Sequence, residues 1–162
     1  MNKKFLGLMA ALIVLGSTSV FAFGIGAQLG YTAGGNSTGA AVTFKLDSVP
    51  WVFAVDVGGI GSNYMSFGLT ADMWLANKTF AKPFGYFYGW GLAGSFAGSG
   101  DSAYLFLGGR VYLGVNAFFA KVFELYAQVA WQPGISFYFS DNGGISPVIA
   151  SFPLNLGFRL WL

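Results

Sequence analysis

The chain has 162 residues, of which 55% are hydrophobic and only 9% are charged. Soluble domains carry roughly 25% charged residues, so this composition disfavours a soluble domain. The net charge of +2 falls to zero without Lys3 and Lys4, which leaves no basic cluster for nucleic acid. The chain has no cysteine, which excludes disulfides and thiolate metal sites, and no histidine, which removes the commonest acid–base group.

The N-terminus has the pattern of a secretion signal. Lys3 and Lys4 precede an apolar run, and a small-residue cleavage site ends at Ala22. The run is about 12 residues long, well short of the roughly 20 that a helix needs to span a bilayer. We therefore predict a cleaved signal peptide at residues 1–22, followed by one domain at residues 23–162.

Apolar and polar residues alternate along most of the remaining chain, which is typical of half-buried β-strands. Gly, Asn, Asp, Ser and Pro residues separate the alternating segments and indicate turns. A membrane protein without a second apolar helix must be a closed barrel, because a bilayer tolerates no unpaired strand edge. We predict eight strands: residues 24–32, 39–46, 51–58, 64–75, 84–95 and 103–114, a seventh from about Val122, and an eighth ending at Leu162.

One face of each predicted strand is apolar, and the opposite face carries every mid-strand charge. That polar face has too few charges to solvate a whole exterior, so we expect it to line the lumen while the apolar face contacts lipid. The predicted fold class is an all-β, eight-stranded antiparallel up-and-down transmembrane β-barrel. Turns at residues 47–50, 76–82 and 115–121 would face the periplasm with both termini, and loops near residues 34–38, 59–63 and 98–102 would face outward.

The inward charges are three cations and three anions: Lys45, Asp56, Asp72, Arg110, Glu124 and Arg159. Strands 6 and 7 form a hairpin, so we expect Arg110 and Glu124 to be neighbours, with Arg159 on the other side of Glu124. The charges would line a polar conduit or gate, or form a salt-bridged plug, since side chains can fill an eight-stranded lumen. The balanced count favours the plug, because buried ions must be paired.

Six inward aromatic residues would line a slot for a hydrophobic solute, as in OmpW-like barrels, or would fill the space opposite the glycines. They are Trp74, Phe87, Tyr104, Phe106, Tyr112 and Tyr126. No nucleophile–base pair can be named, and cation partners would keep the carboxylates ionised and structural. We therefore expect no enzyme activity, no cofactor and no metal site.

Strand 7 continues past the membrane, because its alternation resumes in phase after Pro133 and Gly134. A strong hairpin turn follows, and the chain returns toward strand 8. An exposed apolar strand edge is a template for a partner strand, which suggests binding of an extracellular or host protein. The alternative is a loop that caps the barrel mouth. The candidate hairpin residues are Phe137, Tyr138, Phe139, Asp141, Asn142, Gly143, Gly144 and Ile145.

The C-terminal strand resembles the β-signal of bacterial outer-membrane barrels, although Phe is usual at the last position. The residues that carry this resemblance are Asn155, Gly157, Phe158, Leu160, Trp161 and Leu162. The resemblance implies that the barrel-assembly machinery of the outer membrane recognises this strand.

The signal peptide, the eight strands and the C-terminus together are similar to the small OmpX/OmpA-type barrels. Residues 123–126 and 152–161 look closer to a short-barrel family of unassigned function found in spirochaetes. The resemblance implies an outer-membrane location and a structural or surface-interaction role. A narrow channel or a hydrophobic-solute transporter is the alternative.

Overall fold

The computed structural model describes residues 23–34, 37–59, 65–99, 102–139 and 143–162. The predicted signal peptide lies outside these ranges, and so do Tyr64 and two hairpin residues, Asp141 and Asn142. None of the described residues forms a helix that is long and apolar enough to cross a membrane. The strands are β1 (Phe23–Ala33), β2 (Ser37–Leu46), β3 (Trp51–Gly58), β4 (Met65–Ala81), β5 (Phe84–Ser99), β6 (Ser102–Phe119), β7 (Phe123–Trp131), β8 (Gly134–Phe139), β9 (Gly144–Val148) and β10 (Phe152–Trp161).

Strands β1 to β7 and β10 close into a ring of eight antiparallel strands. Each of β1 to β6 pairs with the next strand in the chain, β7 pairs with β10, and β10 returns to β1. The predicted eight-stranded antiparallel barrel is therefore confirmed. Every strand of the ring has two neighbours, so its backbone groups find partners without water.

The two ends of the barrel differ. The turn end carries the first and last strand residues, where Phe23 and Leu162 exchange backbone hydrogen bonds of 2.9 and 3.2 Å, and the short turns after β2, β4 and β6. The loop end is opposite. There β5 and β6 pair as far as Ser99 and Ser102, beyond the last β1–β10 pair, Ala33 and Phe152.

Two predicted turns at the turn end are wrong in extent. Residues 76–81 continue β4 and residues 115–119 continue β6, so the connections shrink to Lys82–Pro83 and residues 120–122. Residues 77–81 are exposed, and β4 there continues its ladder with β5 as far as the Ala81–Phe84 pair. Their polarity reflects exposure at the barrel rim rather than a turn, because an exposed strand end also favours polar side chains.

Strands β7 and β8 form one continuous register on β6. Trp131 pairs with Val111 and Gly134 pairs with Gly108, with no residue gained or lost between them. The ladder is interrupted at Pro133, which has no backbone N–H to donate. The Pro133 carbonyl still accepts a bond of 3.1 Å from the Gly109 N–H. The long seventh strand therefore runs past the ring, as the alternation predicted.

The return strand is split between β9 and β10. The Gln132 N–H donates to the Ser151 carbonyl at 2.9 Å, and the Trp131 indole donates to the Ile149 carbonyl at 2.8 Å. The β8–β9 ladder is offset by one residue from the β7–β10 ladder, so residues 149–151 hold an extra residue. Such a bulge bends a strand, and it separates the β8–β9 hairpin from the ring.

The exterior of the ring is apolar. Outward side chains such as Leu29, Val55, Leu69 and Leu156 are more than half exposed, while the buried inward side chains are polar, charged, aromatic or small aliphatic ones. A charge-free apolar band on a closed barrel matches the hydrocarbon layer of a membrane. The observed alternation agrees with the prediction that apolar side chains face lipid and polar ones face the lumen.

Candidate functional site

The Glu124 carboxylate is the centre of a buried polar cluster at the turn end of the lumen, and its side chain is 0% exposed. Arg159 Nη1 lies 2.7 Å from Oε2, the Trp161 indole donates to the same oxygen at 3.0 Å, and Asn116 Nδ2 donates to Oε1 at 2.9 Å. Both oxygens are therefore bonded by donors from β6 and β10. Charge-assisted bonds of this kind are what make a buried carboxylate tolerable.

Strand register explains which charges meet. Arg159 lies directly opposite Glu124 in the β7–β10 ladder, whereas the β6 residue opposite Glu124 is Phe118. The expected contact between Arg110 and Glu124 is therefore wrong. The two residues are on one hairpin, but its turn is shorter than predicted. The shorter turn brings Phe118 opposite Glu124, and Arg110 lies eight residues before Phe118 on β6.

The two cations of this cluster lie against aromatic rings. The Arg159 guanidinium is 4.6 Å from the centroid of Tyr126 and 5.7 Å from that of Trp74. Lys45 Nζ is 5.3 Å from the Trp74 centroid and donates to the carbonyls of Leu46 and Val49, each at 2.6 Å. Each cation thus has both an electronegative ring face and oxygen acceptors nearby, which compensates for lost hydration.

Four of the six inward aromatic residues pack on each other above the Glu124 cluster. The rings of Trp74 and Phe87 stack at 5.0 Å, and Phe87 contacts Tyr112 at 6.3 Å and Tyr126 at 6.4 Å. All four are at most 9% exposed. Of the two alternatives for the inward aromatic residues, this layer agrees with filling of the lumen rather than with an open slot, because the rings pack on each other.

A second ion pair lies nearer the loop end. Arg110 Nε is 3.3 Å from Asp72 Oδ1, and both residues are opposite Gly91, on its two sides. A Cβ at Gly91 would collide with the Asp72 carboxylate, so this glycine allows the close approach. Within the part of the chain that the structure describes, neither Arg110 Nε nor Asp72 Oδ1 makes a hydrogen bond, in contrast to the Glu124 carboxylate, both of whose oxygens accept one.

The loop end of the lumen contains a cavity of about 660 Å³, here called the loop-end cavity. Arg110 and Asp56 line it, and Asp56 makes no salt bridge with any of the described residues. The two remaining inward aromatic residues, Tyr104 and Phe106, also line it. Most other lining side chains are small or carry hydroxyl or amide groups: Gln28, Thr32, Ser37, Thr38, Ser66, Thr70, Ser95, Ser102, Gln132, Ser151 and Asn155.

The six sequence-predicted lumen charges thus fall into two groups. Lys45, Glu124 and Arg159 belong to the turn-end cluster. Asp56 and Arg110 line the loop-end cavity, and Asp72 is buried beside it as the ion-pair partner of Arg110. Across the described residues, no group of three or more acidic residues is arranged to hold a metal ion.

The β8–β9 hairpin has one outward and one inward face. Phe137, Phe139 and Ile145 share the outward face of Leu105 and Leu107 on β6, whereas Tyr138 faces Tyr104 at 5.3 Å between ring centroids. Gly143 and Gly144 lie at its exposed tip. Among the described strands, β9 pairs with β8 alone, so its other edge is free.

The resembling β-signal residues divide between the two faces of β10. Gly157 and Trp161 face the lumen, as does Asn155, which lines the loop-end cavity. Phe158, Leu160 and Leu162 are exposed on the outside.

Sequence reasoning missed Asn116. It was assigned to a turn, yet it is 3% exposed and connects Glu124 to Asn77 Oδ1, which lies 3.2 Å from Asn116 Nδ2. Its position two residues after Gly114 keeps the inward parity of strand 6. That parity is the signal that could have identified it.

No family model and no curated protein matches the chain. Three solved structures are similar in fold. A major outer membrane protein from Thermus thermophilus is 13% identical, with 89% of this chain and 100% of that chain covered and a TM-score of 0.51. Neisserial surface protein A (NspA) is 15% identical, with 88% and 97% covered and a TM-score of 0.48. The N-terminal β-barrel domain of Pseudomonas aeruginosa OprF is 13% identical, with 87% and 97% covered and a TM-score of 0.48.

The likeness to the Thermus structure concerns the fold, which both chains share over nearly their whole length. The closed ring, the apolar exterior and the polar lumen agree with that fold. The chain therefore has the fold of an eight-stranded outer-membrane β-barrel.

Replacing Glu124 by Leu should destabilise the barrel by about 3–5 kcal/mol, because Arg159 would remain buried without its anion. The free energy of unfolding in lipid bilayers, measured by urea titration, checks this. Adding Arg159→Met to Glu124→Leu should recover most of the loss, since no charge is then left unpaired. Asp47→Leu, at an exposed turn position, is the control. Equal stability of Glu124→Leu and the control would contradict the role of the cluster.

Proposed function

We propose that this chain is a closed structural barrel of the outer membrane and that it presents the β8–β9 hairpin as a protein-binding surface. The free edge of β9, on a hairpin that extends beyond the closed ring, is the observation that carries the proposal. The proposal gives the chain no catalytic role, because the buried carboxylates Asp72 and Glu124 are held by cations.

The packing of the turn-end half supports a closed lumen. Two successive layers of side chains occupy it. One is the Glu124 cluster, and the other is the layer of four packed aromatic residues above it. Their side chains are almost completely buried, and eight-stranded lumens are narrow enough for side chains to fill. A solute entering from the loop end would have to displace an ion pair and a ring stack together.

The chemistry of the hairpin supports protein binding. Ile145 is 71% exposed and Phe139 is 54% exposed on the outward face. A free strand edge offers backbone N–H and C=O groups to an incoming strand, and apolar neighbours add contact area. Pro147 limits how many N–H groups the edge can offer, which restricts pairing to a short segment.

The alternative function is a narrow channel or a hydrophobic-solute transporter. The loop-end cavity favours it, since a solute could enter there. Its walls are rich in hydroxyl and amide groups, however, and four of the six aromatic residues that would guide a hydrophobic solute are packed together below it. The arrangement therefore supports the closed barrel over the transporter.

A photo-reactive residue placed at Ile145 in intact cells should form a discrete cross-linked product when external proteins are supplied, and none when they are removed. The free β9 edge would bring a partner within reach of this position. Gel electrophoresis followed by mass spectrometry of the product is the measurement.

The same photo-reactive residue at Thr79, exposed at the turn end, is the matched control and should give no product that depends on external protein. Identical patterns at Ile145 with and without external protein would refute the protein-binding role.

We also propose that residues 1–22 are removed on export and that the assembly machinery recognises β10. Phe23, the residue that follows the predicted cleavage site, already lies in β1 and pairs with the C-terminal residue Leu162. The outward residues Phe158 and Leu160 would be available to the machinery before the barrel closes.

Leu160→Asp should therefore slow insertion and leave an unassembled species in the periplasm. Its intact mass should equal that of residues 23–162. Leu92→Asp is the matched control, because it places the same charge on the lipid-facing surface of β5. A retained N-terminus would refute cleavage, and equal accumulation of both variants would refute recognition of β10.

A further inference from the structure

Asp56 differs from the other inward carboxylates because Arg110, the cation that acts on it electrostatically, is ion-paired with Asp72 instead. Glu124 is bonded to Arg159 and Asp72 contacts Arg110, whereas Asp56 makes no salt bridge within the described residues. It nevertheless lies inside the barrel, half-buried, on the wall of the loop-end cavity. A half-buried carboxylate loses part of its hydration, and a positive partner would compensate for that loss.

The position of the carboxylate is defined by its neighbour on β4. Asp56 pairs with Gly68, and a Cβ at Gly68 would overlap the Asp56 carboxylate. The carboxylate therefore lies over the glycine backbone. Ser66 and Thr70, which share the inward face of Gly68, lie on either side of it and also line the cavity. Their hydroxyl oxygens add acceptors beside the charge.

The charged residues that line the cavity are one anion, Asp56, and one cation, Arg110. Arg110 is already ion-paired with Asp72, which is buried beside the cavity and does not line it, so the three groups together carry a net charge of −1. The other lining residues are uncharged. A low-dielectric wall strengthens the attraction of this charge for a cation that enters from the loop end.

We propose that the loop-end cavity binds a small organic cation, an aliphatic ammonium ion, with Asp56 as the anchoring carboxylate. The cavity volume of about 660 Å³ lies in the range typical of small-molecule sites. The ammonium N–H groups would donate to Asp56 and to the hydroxyl and amide oxygens of the wall, and the alkyl part would lie toward Phe106 and Val148. This binding goes beyond the structural and protein-binding role, and it needs no passage through the barrel.

The experiment uses the protein purified from the membrane in detergent micelles, titrated with n-butylammonium chloride at constant ionic strength. Amide chemical shifts in NMR spectra report the binding. We expect saturable shifts centred on residues 56, 68 and 70. Asp56→Asn should weaken binding about tenfold or more, because the ammonium loses its charged acceptor. Asp47→Asn, which changes an exposed carboxylate at the turn end, should leave the affinity unchanged.

Two further ligands distinguish charge from shape. The butyrate anion, added as the salt of the cation already present in the buffer and at the same ionic strength, and neutral sorbitol should cause no saturable shift at these residues. Gly68→Ala is a second variant that keeps Asp56 but displaces its carboxylate, and it should also weaken binding. The proposal is overturned if butylammonium gives no saturable shift, if Asp56→Asn binds it as tightly as the unaltered protein, or if butyrate or sorbitol binds at the same residues.

Discussion

The narrow lumen of an eight-stranded barrel must be filled, and Glu124 is the residue around which this filling is arranged. Its carboxylate is completely buried and receives donors from Asn116 on β6 and from Arg159 and Trp161 on β10. These bonds attach β10 to the hairpin formed by β6 and β7, beside the seam where β10 meets β1. A buried charge with all its partners present holds strands in one register, because any shift leaves it unpaired.

The two halves of the lumen differ in chemistry. The turn-end half places its cations against Glu124 and aromatic faces, so it is dense and closed. The loop-end half is lined by small hydroxyl and amide residues around a cavity, and the carboxylate of Asp56 forms no salt bridge within the described part of the chain. The turn-end half is suited to stabilising the barrel, and the loop-end half is suited to binding a ligand. The β8–β9 hairpin extends the wall on the same side as the cavity, so that both candidate binding features lie at the loop end.

The sequence predicted the features that depend on alternation. The eight-stranded ring, the lipid-facing residues and the inward position of all six charges follow from the period of two. Pairing between charges was not predictable to the same degree, because it depends on register. A turn is predicted at residues 115–121, but residues 115–119 continue β6. In the resulting register Arg110 is not opposite Glu124, and it pairs with Asp72 instead. The fate of the aromatic residues also depended on three-dimensional packing, which alternation does not encode.

Solute flux through liposomes tests the central claim, that the turn-end half closes the lumen. Liposomes containing the folded, membrane-inserted protein would be compared with empty liposomes for release of potassium chloride and glucose. The account predicts the same release from both, because the Glu124 cluster and the aromatic layer leave no continuous path. Clear, size-limited release from liposomes whose protein is shown to be folded would contradict it and would favour the transporter.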